Sequence, residues 1–324
     1  MPEVSPSVLI IRLDGIGDAV ALTPLLAALR RRSIPVDIVL RDSNGGIFAS
    51  RAARSIVMAP FALRNDSRSN RNLIAMFGHE LASRQYSHVL VPTEDPAGYR
   101  LAAAVGAPVR IGFADPWGKP LKAIWGRRLL SRSVYRSAGL DPRGPHECEV
   151  LFTLGESLLG DESPTSDVAE LRPLLLEREP DPGHRIAVQI TDKWERIGIP
   201  VEHVCELLFQ LREYRALQLL CAARESEYAN RIAAASQLAI DYFDALEPWK
   251  EAIAAAPLIV TPDSGALHVA GMTGTPVVAI FPPQREYALQ IARWAPWAAP
   301  HRIVRADGGW QRRATDAVAQ LLAT

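Results

Sequence analysis

Cysteine is scarce in this sequence of 324 residues, and Cys148, Cys205 and Cys221 are far apart, with no Cys-x-x-Cys pair. A disulfide framework or a structural zinc site is therefore not expected, and a reducing compartment fits this usage. No apolar run of about 18 residues or more is free of charge, so no membrane-spanning helix is expected. The first residues lack the basic start of a signal peptide. We expect a cytoplasmic protein, with peripheral membrane attachment left open.

A surplus of positive charge is missing as well, because 36 Lys and Arg residues are balanced by 36 Asp and Glu residues. A nucleic-acid-binding protein is therefore not expected. The glycine-containing turn at 14–18 is not a dinucleotide fingerprint, since Val20 stands in place of the third glycine, and no P-loop Gly-Lys-Ser/Thr follows it. No Gly-x-Ser-x-Gly elbow occurs, which argues against the commonest serine hydrolases. The histidines other than His268 show no metal-ligand spacing.

The sequence instead alternates short apolar segments, typical of buried parallel strands, with amphipathic helical segments. Predicted strands lie at 8–13, 36–40, 88–92, 185–190, 217–222, 258–261 and 276–281. Predicted helices lie at 19–32, 73–84, 201–213, 225–236, 249–256, 266–273 and 312–323. This alternation predicts an α/β fold of two Rossmann-like, doubly wound lobes facing a cleft, with ligands at the carboxyl ends of the strands.

The length favours two domains. A segment rich in proline, serine and acidic residues, 161–184, predicts an interdomain linker with little helix of its own. We therefore expect an N-terminal domain at 1–160 and a C-terminal domain at 185–324. The last predicted helix is a candidate to pack back on the N-terminal domain.

The first turn with chemical potential is Asp14-Gly-Ile-Gly-Asp18, between the first strand and the first helix. A helix start favours an ionised carboxylate, so Asp18 would be available as a base. The same pattern has a structural interpretation, in which Asp14 or Asp18 simply caps the helix.

The second turn is Asp263-Ser-Gly-Ala-Leu-His268, between an apolar strand and a helix. Asp263 or Ser264 is a natural N-cap, and Gly265 allows close approach to the backbone. The free N–H groups and the macrodipole of the helix start suit a diphosphate. The structural alternative is an ordinary capped helix with a satisfied His268.

A third candidate is the loop at 191–196, directly after a predicted strand. Lys193 or Arg196 could neutralise the charge that develops on a phosphate leaving group. Basic residues at loop ends are more often simply solvated, so this pattern alone is weak.

Three segments occur in order along almost the whole chain: Val8–Leu26, Pro145–Glu147, and Val260–Ala270 with its continuation at 274–281. Together they resemble glycosyltransferase family 9, the ADP-heptose:lipopolysaccharide heptosyltransferases. The resemblance implies a GT-B fold, in which the N-terminal domain at 1–160 binds the acceptor and the C-terminal domain at 185–324 binds the nucleotide sugar. It also implies an inverting, metal-independent transfer of heptose from ADP-heptose to a hydroxyl of a glycan such as lipopolysaccharide core, with no cofactor. Association with the inner face of the cytoplasmic membrane would fit that family.

The resemblance also implies roles for individual residues. Asp18 matches the catalytic base, with Gly15 and Gly17 in the turn shared by donor and acceptor. The donor-binding residues that it implies are Lys193 or Arg196, Asp263, Ser264, Gly265, His268, and Glu225 or Glu227.

Two departures from the family pattern lie near the expected donor. Phe281-Pro-Pro-Gln284 stands where the family commonly has Phe-Gly-Pro-Thr, and the Trp-Pro signature is split into Trp194 and Pro200. The donor is therefore less certain than the type of reaction. The alternatives are a catalytically silent nucleotide-sugar-binding protein and a nucleotide-sugar epimerase or hydrolase on the same fold. The carboxylate at Asp18 favours transfer over silent binding.

Overall fold

The computed structural model describes residues 6–115, 118–136, 141–284 and 286–323. The chain divides into two compact units. Unit 1 consists of Met1–Ala138 and Pro145–Thr165, and unit 2 consists of Gly139–Gly144 and Ser166–Thr324. In the described part of the chain, no helix combines the length and the apolar character needed to cross a membrane.

Unit 1 is built on a six-stranded parallel sheet. Its strands are β1 (Val8–Arg12), β2 (Val36–Leu40), β3 (Ser55–Met58), β4 (His88–Val91), β5 (Val109–Ala114) and β6 (Arg132–Tyr135). Its helices are α1 (Ile16–Val20), α2 (Thr23–Arg31), α3 (Arg68–Ala82), α4 (Pro96–Val105), α5 (Pro120–Arg127), α6 (Glu147–Phe152) and α7 (Glu156–Leu159). The strand order is β3-β2-β1-β4-β5-β6. The order reverses between β1 and β4, and doubly wound sheets bind ligands at such a switch point.

Unit 2 repeats this plan. Its strands are β7 (Ile186–Ile190), β8 (Leu217–Ala222), β9 (Ile240–Phe243), β10 (Ile259–Pro262), β11 (Val277–Phe281) and β12 (His301–Arg305). Its helices are α8 (Val168–Leu175), α9 (Lys193–Arg196), α10 (Val201–Leu211), α11 (Ser226–Ser236), α12 (Leu246–Ala255), α13 (Gly265–Thr273), α14 (Tyr287–Trp294) and α15 (Trp310–Leu322). The order β12-β11-β10-β7-β8-β9 places the switch point between β7 and β10.

The central strands explain why the sequence folds in this way. Every residue of β1, β7 and β11 is buried, as expected for parallel strands that are covered by helices on both faces. The predicted α/β fold with parallel sheets is confirmed.

The segment predicted as a linker, 161–184, contains a helix that the sequence analysis did not predict. Leu171, Leu174 and Leu175 of α8 are fully buried, and α8 packs against α13 within unit 2. The apolar spacing of these leucines is helical, but it is surrounded by proline and serine, and Pro173 lies inside the helix. The last helix, α15, packs on α10 and β12, which also belong to unit 2.

The predicted helix at 19–32 is two helices, α1 and α2, interrupted at Ala21 and Leu22. Pro24 lies in the first turn of α2, where its missing N–H has no helical partner to lose. Because α1 begins at Ile16, Asp18 lies inside the first turn of a helix and not in the loop before it.

At the amino-terminal edge of the first sheet, one buried carboxylate on β2 binds side chains from the segments that precede β3 and β4. Asp37 on β2 is almost fully buried, and it accepts hydrogen bonds from Arg54 at 2.9 and 2.8 Å, from Arg84 at 2.8 Å and from the Tyr86 hydroxyl at 2.6 Å. Burial alone raises the pKa of Asp37, but the hydrogen bonds from these three side chains outweigh it and hold the pKa below the ordinary value.

Replacement of Asp37 by Asn should lower the free energy of unfolding by about 3 kcal/mol at pH 7, near the low end for a broken buried ion pair, since both arginines are partly exposed. Because the native pKa lies below the unfolded one, this stabilisation is present above about pH 4 and is lost as the pH falls through the native pKa. Urea unfolding should therefore show a smaller difference in the free energy of unfolding between wild type and variant at acid pH than at pH 7. Asp66→Asn, at an exposed and ion-paired carboxylate, should cost less than about 1 kcal/mol. Equal losses in the two variants would contradict the assignment.

Candidate functional site

The carboxyl edge of the first sheet opens onto a cavity of about 680 Å³, which is within the usual size range of small-molecule sites. The first turn predicted from the sequence faces this cavity. Its polar lining residues are Asp14, Asp18, Arg41, Arg64, Glu94, Asp95, Lys119 and Lys122. Basic and acidic groups are thus mixed around it.

Asp18 is fixed by two donors and is still accessible. Its Oδ2 accepts the N–H of Gly15 at 3.1 Å, its Oδ1 accepts Nη2 of Arg12 at 3.0 Å, and its side chain is 34% exposed. Gly15 is the N-cap of α1 and Asp18 is the third residue of the helix. The helix-capping role and the cavity-facing position are therefore both present. Gly15 has extended backbone with a negative φ, so the turn itself does not demand glycine there.

Arg12 is a buried charge at the end of β1, only 1% exposed. Its Nε donates to the Asp18 carbonyl at 3.0 Å, a second nitrogen donates to the Pro92 carbonyl, and Nη1 lies 3.3 Å from Oδ2 of Asp14. Glu147, fully buried at the start of α6, lies 3.9 Å from Arg12. Arg12 thus links both carboxylates of the first turn to the interior of unit 1.

The ion pairs continue from Glu147 to the cavity wall. Arg136 pairs with Glu147 and lies 3.3 Å from Glu94, which accepts a 2.5 Å hydrogen bond from Lys119. Burial raises the pKa of Glu94, but the Lys119 hydrogen bond and the charges of Arg136 and Lys122 outweigh it and lower the pKa to about 2. Glu94 is therefore a fixed negative charge at neutral pH.

The sequence analysis did not find Arg12, Arg136 or Glu94 as parts of this site. For Arg12 a signal existed, because an arginine inside a strand that is otherwise fully apolar must have partners. Arg136 and Glu94 lie in segments where the sequence analysis predicted no element.

The second predicted turn lies at the carboxyl end of β10. Ser264 is the N-cap of α13, but its side chain makes no capping hydrogen bond; its hydroxyl instead pairs with the Thr261 hydroxyl at 2.9 Å. The backbone N–H groups at the start of α13, from Gly265 onward, thus have no side-chain cap, contrary to the N-cap expectation. An uncapped helix start suits an anionic ligand.

His268 lies in the first turn of α13 and is buried. Its ring makes an edge contact with Trp294, with 5.4 Å between the ring centroids. Packing against the tryptophan therefore fixes the orientation of the imidazole.

Lys193 and Arg196 have different surroundings in the structure. Nζ of Lys193 lies 3.4 Å from Oδ2 of Asp263, beside the turn before α13. Arg196 is paired with Asp192 and its side chain is 66% exposed. Only Lys193 is brought to the second turn.

Glu225 and Glu227 differ in burial. Glu225 is mostly buried, and its Oε2 has no hydrogen-bond partner among the described residues. Glu227 is exposed on α11. A buried acceptor without a donor is costly, so Glu225 is the better candidate to accept a hydrogen bond from a ligand.

The departures from the family pattern also have structural consequences. Pro282 and Pro283 have no N–H, and the N–H of Gln284 is bonded to the Pro282 carbonyl at 2.8 Å. The three residues after β11 therefore offer no backbone donor to a ligand. Trp194 is a core residue, with its indole donating to the Gln189 carbonyl at 2.9 Å.

Residues 198–319 match the sequence model of glycosyltransferase family 9 (heptosyltransferase). This region is a family 9 glycosyltransferase region. The resemblance to this family that the sequence shows is thereby confirmed over these residues, and with it the predicted enzyme class, a glycosyltransferase. A comparison with curated protein sequences finds no significant match.

Solved structures resemble the whole chain. A glycosyl transferase family 9 protein from Veillonella parvula is 14% identical, with a TM-score of 0.72 over 100% of this chain and 99% of the other. The E. coli heptosyltransferase WaaC with ADP is 20% identical, with a TM-score of 0.73 over 98% and 99%. A UDP-GlcNAc 2-epimerase from Methanocaldococcus jannaschii is 11% identical, with a TM-score of 0.58 over 98% and 93%. These likenesses confirm the predicted GT-B fold; the roles of the site residues stay predictions.

The charge on Glu94 gives a direct test of this site. Carbon-13 NMR of labelled Glu carboxyls should show Glu94 still ionised at about pH 4, where an ordinary glutamate is half protonated. Lys119→Met removes the hydrogen bond that lowers the pKa, so the titration should move up toward the ordinary value. Lys119→Arg keeps the charge and should leave Glu94 ionised. If the Met variant titrates like wild type, Lys119 is not the cause.

Proposed function

We propose that the protein is an inverting, metal-independent glycosyltransferase that transfers a sugar from a nucleotide-sugar donor to an acceptor hydroxyl. The observation that carries this proposal is Asp18, a carboxylate held by Arg12 and the Gly15 N–H that still faces a cavity of ligand size. The family 9 match supports the reaction class.

In this proposal unit 2 binds the donor. The diphosphate would lie at the start of α13, with Lys193 beside it, so that helix dipole and ammonium carry its charge without a metal. Glu225 would accept a hydrogen bond from the nucleoside. ADP-heptose is the proposed donor, since the matched family is that of the heptosyltransferases and two similar solved structures are E. coli WaaC with ADP and with ADP-2-deoxy-2-fluoro heptose.

Unit 1 would bind the acceptor, a glycan of the lipopolysaccharide-core type. Asp18 would take the proton of the acceptor hydroxyl as its oxygen attacks the anomeric carbon. The bond from that carbon to the diphosphate oxygen breaks, its electron pair stays on the diphosphate, and the anomeric configuration inverts. The mixed charges of the cavity suit an acceptor with both hydroxyl and anionic groups.

Asp18→Asn should lower kcat by about 100-fold or more, the usual contribution of a general base, while ADP affinity stays unchanged. Product formation with ADP-heptose and a core acceptor, together with ADP calorimetry, measures both. Asp95→Asn is the matched control, because Asp95 lines the same cavity and caps α4, and Asn caps helices equally well.

Three outcomes would contradict this proposal. Near-full activity of Asp18→Asn would exclude Asp18 as the base. Consumption of the donor without any acceptor would indicate a hydrolase or epimerase. Tight ADP binding with no turnover on any acceptor would indicate a silent binding protein.

Lys193→Ala should weaken ADP binding about tenfold or more, since a hydrogen bond to a charged group contributes about 1.5–3 kcal/mol. Arg196→Ala should change the Kd less than about twofold, because its guanidinium is exposed and paired with Asp192. Isothermal calorimetry with ADP gives both values. The reverse order of effects would assign the phosphate contact to Arg196.

A further inference from the structure

Asp14 is a carboxylate for which the fold provides no hydrogen bond. The helix-capping interpretation does not apply to it, because the N-cap of α1 is Gly15, whose N–H donates to Asp18. In the described part of the chain, neither oxygen of the Asp14 carboxylate accepts a hydrogen bond. Nη1 of Arg12 lies 3.3 Å from Oδ2 of Asp14 but donates its hydrogen bond to the Pro92 carbonyl. Asp18, in contrast, accepts two hydrogen bonds.

Part of Asp14 can be reached from the cavity of unit 1. The residue lines that cavity together with Asp18, and its side chain is 26% exposed. Because Oδ2 is buried, Oδ1 is the oxygen that a ligand can contact. A carboxylate that lies beside a cavity and accepts no hydrogen bond from the fold is costly unless a ligand supplies the donor.

The backbone at Asp14 is held in place, although its carboxylate accepts no hydrogen bond. The Asp14 carbonyl accepts Nδ2 of Asn44 at 2.9 Å, and Asn44 is only 1% exposed. The two terminal nitrogens of the planar Arg12 guanidinium face the two carboxylates, Nη1 at Asp14 and Nη2 at Asp18. The carboxylates of Asp14 and Asp18 therefore lie side by side on one wall of the cavity.

We propose that Asp14 selects the acceptor by accepting a hydrogen bond from a second hydroxyl, on the carbon next to the hydroxyl that Asp18 deprotonates. The preferred acceptor is then a sugar with two neighbouring hydroxyls, a vicinal diol. This inference rests on the proposed function, in which unit 1 binds the acceptor and Asp18 is the base.

The chemistry of the two carboxylates favours a diol. Two carboxylates side by side match two neighbouring hydroxyls, since carboxylate oxygens have lone pairs to accept both. A neutral hydroxyl fits better than an ammonium, because Arg12 already places a positive charge beside Asp14 and Asp18. A site built to bind a substrate hydroxyl discriminates strongly against the analogue that lacks it, because the polar group of the site is then left unpaired.

The test compares a lipopolysaccharide-core acceptor with its deoxy analogues, each of which lacks one hydroxyl next to the accepting one. Calorimetry in the absence of donor measures their binding to the full-length protein, so this measurement needs no turnover. Wild type should bind one of the analogues about tenfold or more weakly, the usual loss for a hydrogen bond to a charged group. Asp14→Ala should bind the complete acceptor as weakly as wild type binds that analogue, and should lose nothing further on the analogue. Its ADP affinity should be unchanged.

Two further variants control this measurement. Asp14→Asn keeps the size of the side chain and one acceptor oxygen, so it should keep part of the preference, and it serves as the test where Asp14→Ala does not fold. Asp42→Ala is the matched control, because Asp42 is an exposed aspartate just after β2 that does not line the cavity. It should leave the preference within twofold. Circular dichroism should show that each variant keeps the fold.

Transfer assays with ADP-heptose separate this inference from the proposed function. If wild type transfers heptose and Asp14→Ala keeps the preference for the complete acceptor, the role of Asp14 is wrong and the function stands. If acceptor binding depends on Asp14 but no transfer occurs, the function is wrong and the diol contact stands. Three other results would overturn the inference: no binding of the core acceptor, equal binding of every deoxy analogue by wild type, or tighter binding of an analogue with an amino group in place of that hydroxyl.

Discussion

The carboxyl edge of unit 1 is organised by one buried guanidinium, that of Arg12. An arginine that is almost fully removed from water costs several kcal/mol unless its charge and its donors are matched. Arg12 is matched by Asp14 and Asp18, by the Pro92 carbonyl and, more distantly, by Glu147. Because those partners come from the first turn, the end of β4 and the start of α6, one side chain fixes three separate segments.

These contacts fix the orientation of the Asp18 carboxylate. One oxygen of its carboxylate faces Arg12 and the other accepts the Gly15 N–H, so its orientation is set before any ligand arrives. Orientation in advance is what general-base catalysis requires, since reorganisation during the reaction would add to the barrier. The ion pairs from Glu147 through Arg136 continue the alternation of charge to Glu94, which lines the same cavity as Asp18. The field inside the cavity is therefore set by the fold.

Local pattern was enough to predict much of this molecule, because buried parallel strands and helix starts have strong sequence signals. β1 with the turn at Asp18, and β10 with the turn at Ser264, lie where apolar periodicity and turn residues indicate. The helix α8 was missed because its leucines lie among prolines and serines, where tertiary packing on α13 decides. The ion pairs of Arg12, Glu147 and Arg136 could not be predicted either. Their members are far apart in the sequence, and only the strand order brings them to one edge.

The candidate sites of the two units differ in how their charged groups are held. In unit 1, Arg12 lies within ion-pairing distance of Asp14 and Asp18, and Asp18 accepts two hydrogen bonds, although the buried Oδ2 of Asp14 has no hydrogen-bond partner among the described residues. In unit 2 the start of α13 has no side-chain cap, and Oε2 of Glu225 has no hydrogen-bond partner among the described residues. Groups left in that state are costly unless a ligand completes them, so they fit the donor side of the reaction. If unit 2 binds the donor as proposed, selection of the sugar beside the loop after β11 would come from side chains, because Pro282 and Pro283 have no N–H to donate.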